Sequence, residues 1–179
     1  QMCIRDRRNY TNRFVYVSLS GKIESLTIDD CIFIGADNST TNKAIYASSA
    51  HTQVETLSVT NSTFLNFNTG SNYFFRINCG EELVLMPVVL IDHCTFYNCY
   101  DRRGVYLYNA GRSTIKNCIS AFSERRDDTK SFTAYGDESI VKNVISYNVD
   151  LYGSAPKENI ISKNPLFVDA ENGTFQLYK

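Results

Sequence analysis

The chain has no tryptophan, only two histidines, and no apolar run approaching the roughly 18 residues needed to cross a bilayer as a helix. Without Trp, the strongest sugar-stacking side chain is missing. His51 falls in a polar stretch and His93 inside a strand repeat, so neither reads as a catalytic base, and no Cys or His pair has the close spacing of a structural zinc site. A net charge of −1 excludes a polybasic nucleic-acid binder. With 43% hydrophobic residues, the chain is also no disordered tail. What remains is a chain of 179 residues, long enough to bury one sizeable core.

The first residues stand apart. Met2-Cys3-Ile4-Arg5-Asp6-Arg7 can be back-translated to a sequence that resembles a transposon-end sequencing adapter read in frame, so residues 1–7 are set aside and the domain is taken as 8–179. On that reading the chain is expected to be truncated at its N-terminus, with any signal peptide lost.

Repeats decide the expected fold. Leu26-Thr27-Ile28-Asp29-Asp30-Cys31-Ile32-Phe33 aligns with Leu57-Ser58-Val59-Thr60-Asn61-Ser62-Thr63-Phe64 and with Val89-Leu90-Ile91-Asp92-His93-Cys94-Thr95-Phe96. Two further copies run from Ser113 to Ser120 and from Ser139 to Ser146. Successive copies are about 31, 32, 24 and 26 residues apart, within the range of solenoid repeats. Each alternates with period two, as a strand with one buried face does. The inward parity slips by one between Ile28 and Cys31, and equivalently in each copy. At the slip stand Asp30, Asn61, His93, Asn117 and Asn143, the non-glycine residue types most enriched in left-handed backbone. One such residue bends the strand and resets its alternation, as a bulge does.

A second strand follows each first one: Ala44–Ala47, Phe74–Ile77, Val105–Tyr108, Phe132–Tyr135 and Val149–Tyr152. The expectation is an all-β, right-handed, single-stranded parallel β-helix of about five to six coils. A β-sandwich is the rival, but it does not call for an Asn-type residue at one place in every repeat. Stacked coils do, because equivalent side-chain amides about 4.8 Å apart can hydrogen-bond as a ladder.

The pattern Ile91-Asp92-His93-Cys94-Thr95-Phe96 and its relatives resembles that of the pectate-lyase-like right-handed β-helix proteins. The closing run, from Asn164-Pro165-Leu166-Phe167 to Thr174-Phe175-Gln176-Leu177, is similar to the end of a bacterial family of unknown function in that group, associated with secreted proteins of polysaccharide use. The resemblance implies a secreted or surface location in a bacterium, a chain that continues beyond Lys179, and a polysaccharide partner. It names no reaction.

Cys31, Cys94 and Cys118 share one inward column, which Ser62 and Val144 fill in other copies, so the site wants a small buried side chain. Cys94 and Cys118 would be ladder neighbours pointing in parallel, which disfavours a disulfide. Four glycosylation-type sequons include Asn61, a corner residue whose amide belongs in the ladder, which favours a bacterial source.

Function must come from what projects outward. The loops at about 35–43, 66–73, 97–104 and 121–131 should leave at one corner and stack on one side. Two carry Arg102 and Arg103, and Arg125 and Arg126; beside them Tyr108, Tyr135 and Tyr152 fall on the outward parity of successive strands. Guanidinium groups bind carboxylates bidentately and aromatic faces pack on apolar surfaces, so these residues suit a polysaccharide, an acidic one included. Self-neutralised loop charges and cross-coil tyrosine packing would account for the same residues without a ligand. A non-catalytic carbohydrate-binding or display domain asks least of the sequence. A lyase acting on uronate polymers would use Arg102, Arg103, Arg125, Arg126 or Lys130 as base and electrostatic stabiliser. A glycoside hydrolase would need converging carboxylates, for which Asp101, Asp127 and Asp128 are candidates beside arginines that depress an acid's pKa. The residues call for no cofactor, and the resemblance leaves calcium open although its aspartate cluster is not evident.

Overall fold

Alternating apolar and polar residues, interrupted at fixed places by Asn-type corners, make short strands that pair with the equivalent strand of the next repeat. The computed structural model describes residues 13–17, 22–35, 43–49, 53–67, 75–79, 87–99, 104–108, 112–122, 130–170 and 174–177. These residues are all-β, with no helix among them. Residues 1–7 and the charged loop segments 101–103 and 123–129 lie outside them.

One sheet holds six parallel strands, β1 (Arg13–Val17), β4 (Lys43–Ser49), β7 (Phe75–Cys79), β10 (Val105–Tyr108), β12 (Lys130–Ala134) and β14 (Asp150–Tyr152), each paired with the next in that order. The other holds the expected repeats: β2 (Lys22–Asp29), β5 (Gln53–Thr60) and β8 (Val88–Asp92) before the corner, and β3 (Ile32–Ile34), β6 (Thr63–Leu65) and β9 (Thr95–Tyr97) after it. In β11 (Arg112–Ala121) and β13 (Ile140–Tyr147) one strand runs through the corner, and β15 (Lys157–Ile161) pairs beyond β13. Every pairing within both sheets is parallel; a separate antiparallel hairpin joins β16 (Phe167–Asp169) and β17 (Thr174–Leu177).

The corner residues are where the repeat predicts them. Asp30, Asn61, His93, Asn117 and Asn143 have φ of 50°, 50°, 53°, 52° and 53°, and Asn159 adds a sixth at 48°. Their amides form a chain: Asn159 donates to Asn143 at 2.9 Å, Asn143 to Asn117 at 3.1 Å, and Asn117 to the Asp92 carboxylate at 2.9 Å. A second series of left-handed residues, Asn66, Asn98 and Asn148, lies five positions later, at 55°, 50° and 57°. Backbone N–H groups continue the ladder across this second bend, Asn66 to the Tyr97 carbonyl at 3.0 Å and Asn98 to that of Ala121 at 3.0 Å. Gly35 holds the equivalent place in the first repeat, where a Cβ would lie 2.2 Å from the Asn66 carbonyl oxygen.

The core lies between the sheets. Phe33, Phe64 and Phe96 stack nearly parallel, with centroids 4.8 and 4.9 Å apart, close to the ladder spacing. Ser120 and Ser146 continue that column, and Phe132 of the other sheet stands edge-on to Phe96 at 5.3 Å. Buried Ser113, Ser120, Ser139 and Ser146 therefore keep the inward register although Ile119 and Ile145 are their more apolar neighbours. Of the expected inward residues, Leu26 alone is only half-buried.

Cys31, Cys94 and Cys118 are buried free thiols, as is Cys99. Cys31 donates to the Asp29 carbonyl at 3.1 Å and Cys118 to that of Lys116 at 3.0 Å, so both thiols engage the backbone of their own corner. Burial pushes the Cys99 thiol far up, and burial together with the adjacent Cys94 does the same to Cys118.

Candidate functional site

On the six-stranded sheet, alternation sets Tyr16 between Val15 and Val17, Tyr46 between Ile45 and Ala47, Arg76 between Phe75 and Ile77, and Tyr106 between Val105 and Leu107. In register these outward positions form the column Tyr16, Tyr46, Arg76, Tyr106, Thr133 and Tyr152. Five steps of about 4.8 Å give it a length of roughly 24 Å.

The column is an aromatic strip with a cation set into it. The Arg76 guanidinium carbon lies 5.9 Å from the ring centroids of both Tyr46 and Tyr106, and its Nη1 donates to the Tyr46 hydroxyl at 3.5 Å. Tyr16 continues the strip beside Tyr46, with centroids 6.2 Å apart. At the other end the Lys130 ammonium lies 5.6 Å from the Tyr152 centroid. Cation and ring attract through the ring quadrupole, by about 0.5–1 kcal/mol at exposed positions. Tyr16 and Tyr152 are 50% and 52% exposed, whereas Tyr106, at 5%, is the packed middle of the strip.

Of the residues singled out from the sequence, Tyr135 and Tyr152 come together: with Leu151, Gly153 and Ser154 they line a shallow cavity of about 290 Å³. Tyr135 also stands edge-on to Tyr106 at 6.4 Å. Tyr108 lies in β10, and its side chain is outside the described residues, as are Arg102, Arg103, Arg125 and Arg126 with the alternative carboxylates Asp101, Asp127 and Asp128. Of the expected column Tyr108, Tyr135, Tyr152, the place of Tyr152 alone is corrected. Tyr152 pairs with Thr133, because the register shifts between Lys130 and Thr133, so that three steps along β12 match two along β14. Tyr152 thereby joins the column of Tyr106.

Sequence reasoning missed Tyr16, Tyr46, Arg76 and Tyr106. Their signal is the pair of apolar residues flanking each one; aligning the second strands on those pairs, rather than on the turn residues that close them, finds the strip.

On the other sheet, the corner carries charge. Asp92 accepts from His93 Nδ1 at 2.7 Å and from Lys116 Nζ at 3.1 Å, besides Asn117. Burial is the largest single influence on Asp92 and raises it, but the Asn117 and Lys116 hydrogen bonds and the charges of His93 and Lys116 together hold it below the ordinary carboxylate value. Asp29 is likewise lowered, chiefly by the Thr60 hydroxyl at 2.6 Å and the Asn61 amide at 2.9 Å. These groups are engaged in the corner ladder. Among the described residues no three His, Cys, Asp or Glu side chains gather closely enough to hold a metal ion, and no helix is long and apolar enough to cross a membrane.

No family model and no curated protein matches the chain.

Proposed function

We propose that this chain is a stretch of right-handed, single-stranded parallel β-helix from a secreted or surface-displayed bacterial protein, and that it binds polysaccharide without cleaving it. Parallel pairing of each strand with its counterpart in the next repeat supports the helix, as does the left-handed residue at each corner. The resemblance of the repeat and of the closing run to pectate-lyase-like proteins supports the setting.

The strip of Tyr16, Tyr46, Arg76, Tyr106 and Tyr152 carries the binding reading. A sugar chain offers alternating apolar ring faces and hydroxyl edges. Exposed tyrosines receive the faces, and a guanidinium fixed by two rings donates to ring or carboxylate oxygens with little further loss of side-chain freedom. The spacing of the strip is set by the strand ladder and is comparable to the advance of one pyranose along an extended glycan.

Affinity electrophoresis and calorimetry against polygalacturonate, alginate, xylan and galactan test this. At least one polymer is expected to bind, and Tyr152→Ala or Lys130→Ala is expected to weaken it about ten-fold, or ~1.4 kcal/mol. Absence of binding to all four would overturn the reading. So would the appearance of unsaturated products or new reducing ends, which would make the chain an enzyme.

A further inference from the structure

The ladder of the second sheet ends at β15, which among the described residues pairs with β13 and with no strand beyond it. Register carries the columns of the sheet onto this strand. The inward column Ile28, Val59, Ile91, Ile115 and Val141 arrives at Lys157, and the outward column Asp92, Lys116 and Lys142 arrives at Glu158. A lysine therefore stands where each of the preceding coils places a branched apolar residue.

The interior narrows before it reaches that lysine. Leu26, Leu57 and Val89 are followed in register by Ser113, and Phe33, Phe64 and Phe96 by Ser120 and Ser146. At the end of the column the Lys157 side chain folds back on its own coil: the ammonium donates to the Gly153 carbonyl at 2.8 Å and to that of Ala155 at 3.3 Å. Gly153 sits tight against the coil beneath, where a Cβ would lie 1.9 Å from the Ala134 carbonyl oxygen, and Ala155 is buried. A lysine stem covers apolar surface while its ammonium stays hydrated, which suits the end of a core and not its middle.

What a further strand would meet follows from the same register. It would cover the Lys157 ammonium, a charge whose burial is unfavourable without an ionised partner, and would run beside Glu158. The first strand of a second copy is a poor fit: β2, continuing the register, lays Ile28 on Lys157 and Asp29 on Glu158, an apolar residue on a charge and two like charges side by side. Asn159 adds a left-handed bend, φ 48°, to a strand of five residues. Short, bent and charged strands are how sheet edges avoid pairing with other chains. After Ile161 the chain itself leaves the ladder, and its next two strands form the antiparallel β16–β17 hairpin.

We propose that Lys157 and Glu158 make β15 a built-in stop, closing this end of the solenoid to the end-on stacking of a second copy of the chain. The stop is independent of the tyrosine strip on the other sheet, so either can fail alone.

Light scattering behind size exclusion, with circular dichroism as the check on folding, tests this. The parent and Lys157→Arg, which keeps the cation, are expected to be monomeric. Lys157→Ile with Glu158→Lys restores the apolar column and sets a cation opposite Asp29; it is expected to associate at least about ten-fold more tightly, as particles elongated in small-angle X-ray scattering. Lys157→Thr with Glu158→Lys removes the same charges without adding a large apolar side chain; it is expected to act in the same sense and carries the test if the first variant does not fold. Lys142→Ile, the same exchange at an outward position of β13, is expected to stay monomeric. A parent or Lys157→Arg that stacks end to end, folded double variants that stay monomeric, or a Lys142→Ile that associates as they do would overturn the proposal.

Discussion

At the scale of single residues, the Asn-type corners do two jobs that substitution can separate. Asn117 adopts φ 52° and links Asp92 below to Asn143 above through its amide. Asn117→Gly keeps the left-handed backbone accessible and removes only the amide bonds, so it is expected to cost about 1–2 kcal/mol in urea denaturation. Asn117→Ala removes the same bonds and adds the left-handed penalty of a Cβ, about 1–2 kcal/mol more. Equal losses for the two variants would show that backbone strain is not what the Asn relieves. The first series of corners was legible because one residue type recurs at one offset in five copies. Asn66, Asn98 and Asn148 escaped notice because Gly35 and Phe122 break the series, and a rule about residue type fails where close approach to a neighbouring carbonyl decides instead.

At the scale of elements, a short strand such as β6 is held by what it inserts between its neighbours. Phe64 is fully buried between the rings of Phe33 and Phe96, each within 5 Å of its centroid. Phe64→Ala is expected to cost about 3–5 kcal/mol by urea denaturation, since lost burial and an unfilled cavity add. Ile32→Ala, at an outward position 56% exposed, is expected to change stability by about 0.5 kcal/mol or less. Period-two alternation in the sequence distinguishes these two positions without a structure. The serines Ser120 and Ser146 were harder, because alternation alone would favour placing Ile119 and Ile145 inside; parallel register with Phe96 fixes the serines inward. The same principle displaced Tyr152, whose partner depends on an irregularity between Lys130 and Thr133 that carries no residue-type signature.

For the whole molecule, stability against acid depends on carboxylates spread along the corner ladder. Asp29 and Asp92 titrate below the ordinary value of 3.8, so the native state holds their charged forms more tightly than the unfolded chain does. Their contribution is complete above that value and is lost as pH falls through the lower native values. Urea denaturation from neutral pH downward is expected to show stability dropping below about pH 4, with Asp92→Asn less stable than the parent at neutral pH and the difference shrinking toward acid. A constant difference at all pH values would remove Asp92 from that role. The sequence by itself determined the period, the first series of bends, the faces of the early repeats and the parallel all-β class, because each rests on local sterics and alternation repeated from copy to copy. Only the tertiary structure decided which outward residues meet, since Tyr46, Arg76 and Tyr106 are 30 residues apart in the chain at each step and become neighbours through strand register alone. It also decided where the closing hairpin lies, because the rings of Phe167 and Phe175 find Tyr97 across most of the chain's second half, a contact that no local pattern encodes.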